Sequence, residues 1–490
     1  VKVLDYIIQK ASHICITNYT KGECRALERA FSYRDNWKTI SIGMIYDEED
    51  RNLLIFGGAK IEYIKYLTGG LPVRNDYNYD PCKKISIRLR NFPRDRLQGE
   101  MIQFLIGGGV YQYNNNCPQL SCNADTGEGK TFCAIAMMTY LRTKTIIIVN
   151  RVNIRDTWIN EITKFTDIDK RRILSLDTKT IGKILEGEFD TSPYELFIVI
   201  HRTIANAAKL YGWKAIGELF INCGIGLKIY DEAHKEFTNT THIDAYTNTR
   251  KTLYLTATLK ISGRLANYIF QKVFNTIPKF DQVALGYNNS KKHITMIVQY
   301  YNSHPDIDDR TRCKTNHGFS SREYSLYQIE RDNEFMQILL SNVEKMTVRN
   351  GFRSLILVSR IIACKEVALA IKNTFPKLKV GIYNSDVRDE EKKRVLKEDD
   401  VIVSTTQSLG MSQTIENLQW VCNCEAFYTD TNGLQASGRL RRLKGDKRCF
   451  YTELIDLGFP SIRNQWKARK KHYLEIFKEM IEIHLEREGL

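Results

Sequence analysis

ADTGEGKT, Ala124 to Thr131, stands between a short apolar stretch (Leu120, Ser121, Cys122) and a helix-forming apolar run, TFCAIAMMTYL (131–141). Gly127 and Gly129 free the backbone to curl, so that successive N–H groups of Asp125, Thr126, Gly127, Glu128 and Gly129 converge on one centre. The helix that follows adds the positive end of its dipole, and a phosphate is the natural occupant. Lys130 is placed to reach β/γ-phosphates and Thr131 to ligate Mg²⁺, so the expected ligand is ATP with Mg²⁺. The first glycine of the usual pattern is replaced by Ala124. A lone Gly-Lys-Thr also occurs as an ordinary turn and helix start, so the assignment rests on what surrounds it.

Around it, apolar runs of strand length alternate with helical ones. TIIIV (145–149), LFIVI (196–200), LKIYD (227–231) and TLYLT (252–256) follow the loop. SLILVS (354–359), KVGIY (379–383), DVIVS (400–404), LQWVC (418–422) and CFYTELI (449–455) form a second series. Continuous apolar strands separated by helices imply parallel sheets covered on both faces. Two α/β modules are expected, residues 91–285 and 286–456, and only the first has a phosphate loop. Residues 1–90 alternate in shorter runs (HICITNY, TISIGMIY, NLLIFGG, KISIRL) around a helix-like KGECRALERAF, and read as a small α+β domain separable from the first module. Residues 457–490 read as a basic helical tail, amphipathic through HYLEIFKEMIEIHL.

Three further groups carry chemistry. Asp231-Glu232-Ala233-His234 ends a strand about a hundred residues after Lys130. There Asp231 would hold the metal and Glu232 would deprotonate the attacking water. Thr256-Ala257-Thr258 ends the next strand. In the second module, Gln435, Arg439 and Arg442 of QASGRLRR share a helix face at i, i+4 and i+7, and guanidinium groups so presented suit the charge on a phosphoryl group in transfer. Each alone has a bland reading, a solvated strand end or a solvated basic helix.

In this order and over two α/β modules, phosphate loop, DEAH, TAT and QxxGRxxR resemble superfamily-2 helicases. The runs GLQASGRLRRLKGDKRCFYTELIDL and IYNSDVRDEEKKRVLKEDDVIVSTTQSLGMSQTIENL resemble the bacteriophage UvsW-type branch-migration helicases most. The resemblance implies two tandem RecA-like modules, an ATP hydrolase, and catalytic Lys130, Asp231, Glu232, Arg439 and Arg442. It implies an adenine-reading Gln98, and coupling through His234, Thr256, Thr258, Gln435 and Gly410. It implies nucleic-acid grips at Asn150, Arg151, His201, Arg202, Ser359, Arg360, Thr405 and Thr406. His201 stands where Thr is common, and Ser412 and Thr414 depart from the family's fifth motif. The implied partner is single-stranded, forked or junction DNA, with replication or recombination proteins possible beside it. An RNA helicase and a duplex-DNA translocase are the alternatives; a non-catalytic clamp sits poorly with an intact Lys130, Asp231, Glu232 and Arg442.

Composition agrees with a polyanionic partner. The balance of 72 Lys+Arg against 57 Asp+Glu gives a net charge of +15, and eleven basic against three acidic residues between Gln435 and Lys471 hold +8 of it. Lys467, Arg469 and Lys470, with Arg463 and Lys471, are the tail's candidate phosphate contacts, and Lys21, Arg25, Arg29, Arg34 and Lys38 those of the first domain. Twelve cysteines without a CxxC pair suggest a reducing compartment. No apolar run reaches bilayer length and no signal peptide is recognisable, so the expected setting is the cytoplasm (a host cell's, if phage-encoded), away from membranes.

Overall fold

The computed structural model describes residues 6–35, 38–124, 127–256, 261, 263–282, 285, 293–315, 318–408, 415–426, 433, 436–441, 443, 447–477 and 479–485. The chain divides into two compact units, Val1–Tyr287 and Asn288–Leu490.

The first unit is built on a seven-stranded sheet, all parallel, in the order Ile173–Ser175, Leu196–Ile200, Thr145–Val149, Leu227–Tyr230, Lys251–Thr256, Gln119–Asn123, Lys279–Asp281. Its central strands are buried along their whole length because both faces are covered. Ile146 and Ile148 enter one core and Ile147 and Val149 the other, the two-residue period of a strand. Helices Lys130–Leu141 and Val152–Phe165 follow the strands Gln119–Asn123 and Thr145–Val149.

Residues 6–75 add a five-stranded sheet, Met44–Asp47, Asn52–Phe56, His13–Ile16, Ile7–Gln9, Val73–Asn75, and a hairpin of Ser32–Asp35 with Lys38–Ser41. The helix expected in KGECRALERAF spans Arg25–Phe31. This sheet is not separable from the module behind it. Phe56 packs on Phe237, Tyr254 and Phe274 at ring-centroid distances of 4.9, 5.5 and 5.6 Å. Leu53, Ile55 and Ile64 share one buried cluster with Phe270, Val273 and Ile277. Emptying one such aromatic site costs about 3–5 kcal/mol. Removal of the whole segment would strip that face of the module.

KISIRL is not a strand of that sheet. It lies extended along the first module, bridged at Lys84 to Thr143 and at Leu89 to Thr166. Ile85 and Ile87 are buried with Leu97 and Met101. Alternation gave the right extended backbone and the wrong partner.

The second unit repeats the all-parallel sheet: Val380–Tyr383, Val401–Thr405, Arg353–Val358, Leu418–Asn423, Cys449–Asp456, Ile294–Tyr301, Glu479–His484. The tail helix runs Pro460–Ile476 and then stops. The rest of the expected amphipathic helix is the edge strand Glu479–His484, paired in register with Thr295–Tyr300. Glu482 accepts from Tyr300 Oη at 2.5 Å and pairs with Lys470 at 2.7 Å, which fastens strand to helix and sheet. No helix among the described residues is long and apolar enough to cross a membrane.

Candidate active site

The site is assembled at the carboxyl ends of the first sheet's strands, where parallel α/β folds hold ligands. Gly127 and Gly129 have φ of 94° and 87°, the left-handed region that only glycine enters freely. A side chain at Gly129 would also collide with the Gln98 amide. Helix Lys130–Leu141 starts without a side-chain cap or an acid in its first turn, so its N–H groups and dipole face the loop uncompensated. Thr131 is its second residue. Lys130 Nζ donates to the Ala124 carbonyl, and Ala124, in place of the missing glycine, is packed in the core. Asp125 and Thr126 lie outside the described residues.

Gln98 sits on helix Arg96–Ile106, which Asp95 caps by accepting from the Gln98 N–H at 2.9 Å. The Gln98 side chain is buried, donates to Glu128 O at 3.3 Å and accepts from Arg94 N–H at 2.8 Å. Arg94 itself donates to Gly127 O and to the Glu128 carboxylate, both at 3.3 Å. The pair clamps the glycine loop from outside. Arg94 escaped the sequence reading, although its place four residues before Gln98 was the available signal.

Asp231 follows Leu227–Tyr230, and its N–H donates to Ile148 O at 3.0 Å. Trp158 Nε1–H donates to Asp231 Oδ2 at 2.9 Å, a contact that no local spacing announces. Burial first, and then the adjoining Glu232 charge, hold the Asp231 carboxyl above the usual range; the indole and Lys130 oppose this. Glu232 has φ 51°, strained for a side chain of its size, and is pinned on either side by Asp231 N–H and by Ala233 N–H donating to Leu255 O. Its Oε2 is buried without a hydrogen bond, 3.4 Å from His234 Nδ1. His234 Nδ1 also shares a hydrogen bond with Thr256 Oγ1 at 2.8 Å, and burial pulls the imidazole down to about 4, so it is neutral. Two desolvated carboxylates beside an ammonium, one oxygen left unsatisfied, fit a divalent cation with a phosphate and a polarised water. The loop, Gln98, Asp231, Glu232, His234 and Thr256 are thus brought together. Thr258 lies outside the described residues.

Asn150 and His201 follow neighbouring strands, paired at Val149 and Ile200. Neither the Asn150 amide nor the His201 ring has a hydrogen-bond partner for its buried polar atoms. His201 is 2% exposed, and burial lowers it to about 3. Arg151 and Arg202 are exposed beside them. In the second unit Ser359 and Arg360 follow Arg353–Val358; Ser359 Oγ donates to Ser321 O, while Arg360 Nη1 is buried without a partner. Thr405 donates to Ser408 Oγ and Thr406 to Glu425, both at 2.6 Å, so these hydroxyls are engaged within the unit. Arg439 is half-buried and is held down to about 10, by burial first and then by Arg441. Gly410, Gln435 and Arg442 lie outside the described residues.

Arg469 corrects the tail reading. It is buried and pairs with Glu453 at 2.8 Å, because it shares the inward helix face with Trp466 and Tyr473. Arg463, Lys467 and Lys471, spaced by four, are exposed.

Residues 97–261 match the family model for the type III restriction enzyme res subunit. Among solved structures, yeast (S. cerevisiae) Dbp5 bound to RNA and ADP BeF3 matches 79% of this chain and 89% of its own at 13% identity, with a TM-score of 0.52. A fragment described as the HsdR subunit of a type I restriction enzyme from Vibrio vulnificus matches 81% of this chain and 70% of its own at 16% identity, also with a TM-score of 0.52. UvsW of T4 matches 98% of this chain and 100% of its own at 13% identity, with a TM-score of 0.36. No curated protein sequence matches. The matched stretch, which contains the phosphate loop and Asp231 to His234, is a helicase-like domain. That bears out the superfamily-2 reading and an ATP-dependent helicase as the enzyme class. The structural matches bear out the fold of two tandem RecA-like modules.

Proposed function

We propose that this chain couples ATP hydrolysis to the unwinding or branch migration of forked and junction DNA. The observation that carries the coupling is one contiguous edge of the first sheet. The clamped glycine loop, the strained Glu232 and the His234–Thr256 bond stand there beside the orphaned polar atoms of Asn150 and His201. Lys130 neutralises phosphate charge, Glu232 takes the proton of the attacking water, and Gln98 reads the adenine edge. Mg²⁺, held by Thr131 and Asp231, would neutralise charge on the β- and γ-phosphates. The motif QASGRLRR supports a role for Arg439 and Arg442 as the cationic charge needed during turnover.

The preference for branched DNA draws on the first 90 residues. Lys21, Arg25, Arg29, Arg34 and Lys38 are all exposed, on a turn, a helix and a hairpin of the segment that shares a core with the motor. Arg25 and Arg29 share the outer face of helix Arg25–Phe31. One part can hold a duplex arm while the other draws a strand. Because truncation would damage the module, the test is Arg25→Glu with Arg29→Glu, not deletion. ATPase stimulation is compared on single-stranded DNA, forks, four-way junctions and RNA. The expected result is strongest stimulation by junctions, reduced about tenfold in the variant, with single-strand stimulation kept. Stimulation by RNA alone would favour the RNA helicase.

A further inference from the structure

The first module's core contains a polar network that hydrolysis does not call for. Lys228 and Asp244, both 0% exposed, pair at 2.5 Å. Lys228 Nζ also donates to Thr247 Oγ1 at 2.7 Å. Tyr230 Oη donates to Asp244 Oδ1 at 2.8 Å and Tyr254 Oη to Oδ2 at 2.6 Å. The two tyrosine rings stack in parallel, 5.5 Å apart with 2° between planes, and His201 stacks on Tyr230 at 5.8 Å. Tyr230 immediately precedes Asp231. Tyr254 lies two residues before Thr256, the partner of His234.

The network also reaches the N-terminal sheet. Gln119 Nε2 donates to Tyr254 Oη at 2.7 Å and to Ser12 O at 3.0 Å. His13 Nδ1 is hydrogen-bonded to the Asp244 carbonyl at 3.0 Å. A buried ion pair adds little net stability over apolar residues of the same size. What it adds is direction, because each satisfied hydrogen bond fixes an angle that packing leaves loose.

We propose that Lys228 and Asp244 are positioning residues: through Tyr230 and Tyr254 they set the strand ends bearing the DEAH carboxylates and Thr256, and they tie that setting to the seating of Ser12 and His13. This rests on the hydrolytic reading of Glu232. The network transmits through two rigid phenol hydroxyls, so its loss displaces Asp231, Glu232 and His234 without touching the phosphate loop. The expected signature is a fall in kcat at nearly constant KM for ATP.

The test replaces the polar set at roughly constant volume, as Lys228→Met, Tyr230→Phe, Asp244→Leu and Tyr254→Phe in the full chain. Thermal melting and nucleic-acid-stimulated ATPase are measured together, with Glu232→Gln as control. A folded variant with kcat at least tenfold down and KM within twofold bears the proposal out; a folded variant with kcat within twofold of wild type overturns it. If the fourfold variant does not fold, Tyr230→Phe with Tyr254→Phe decides. There a kcat loss of threefold or more supports the network and an unchanged kcat sinks it. A fully active Glu232→Gln would instead overturn the hydrolytic reading beneath it.

Discussion

Numbered by chain order, the seven strands of each parallel sheet run 3-4-2-5-6-1-7, and this shared order lets the two modules be compared slot by slot. At strand 1 they diverge most. In the first module Gln119–Asn123 leads into the glycine loop, a lysine and a bare helix start. In the second, Ile294–Tyr301 leads into Asn302-Ser303-His304-Pro305-Asp306. The Asp456 carboxylate is bound there by Ser303 N–H and Oγ and by Gly458 N–H. One slot presents N–H groups and a cation, the other a carboxylate already satisfied. A phosphate is welcome in the first and repelled in the second. At strand 2 the modules agree, since Asn150-Arg151 and Ser359-Arg360 both start a helix from an extended arginine. A common frame therefore holds two different electrostatic ends, and chemistry follows the end.

The sharpest way to break this asymmetry is through the arginines. If the second module binds no phosphate of its own and its arginines serve hydrolysis, Arg439→Ala should lower kcat by about 10³ or more. Nucleotide affinity, followed by a fluorescent ATP analogue, should change far less. Equal losses in affinity and kcat would mean that Arg439 only supports the fold.

Next in size is Glu232→Gln, expected to cost about 10²–10⁴ in turnover while ATP still binds, the range for removing a general base. Ser303→Ala at the matching slot should leave ATP binding unchanged. A lowered affinity in Ser303→Ala would show that the slots are less different than their charges suggest.

Most of this frame was legible from residues, and the exceptions share a cause. TIIIV and LFIVI announce buried parallel strands because no face is left polar. The loop and DEAH are legible because their chemistry is local in sequence. KISIRL and EMIEIH were misassigned because alternation specifies an extended or amphipathic segment without naming its neighbour. The free edge beside Ile294–Tyr301 decided the second case. Trp158 reaches the site through packing between elements, which spacing does not encode, whereas Arg94 is announced only by its place four residues before Gln98. Arg469 looks like its basic neighbours in the sequence, and only the helix face it shares with Trp466 and Tyr473 sets it apart.

The tail extends the comparison, since only the second module carries one. Arg463, Lys467 and Lys471 are the exposed set there. Changing all three to Gln should weaken DNA binding and reduce the slope of log affinity against log salt by roughly 2 to 3, about 0.7–0.9 for each phosphate no longer neutralised. Arg469→Gln should instead destabilise the unit, because it leaves Glu453 buried without its cation. An unchanged salt slope in the triple variant would return the tail to a structural role.

The smallest effect separates the modules by their buried acids. Asp244 of the first module has Lys228. Asp332 of the second is held by Tyr301 Oη and by the N–H groups of Glu334 and Phe335. Burial first pushes its carboxyl up to about 6; the Phe335 N–H opposes this and the nearby Asp456 reinforces it. The folded state thus holds this proton more tightly than the unfolded chain, whose aspartates titrate near 3.9. The stabilisation is fully present below about pH 4 and is lost as pH rises through about 6, a change of about 2–3 kcal/mol. Asp332→Asn keeps an oxygen for the two N–H groups and removes the titration. Calorimetry of the full chain from pH 5 to 7.5 should show the second unit's Tm in Asp332→Asn rising relative to wild type by a few degrees as pH increases. A constant difference across that window would mean that Asp332 is ionised throughout, as a carboxylate with a cation would be.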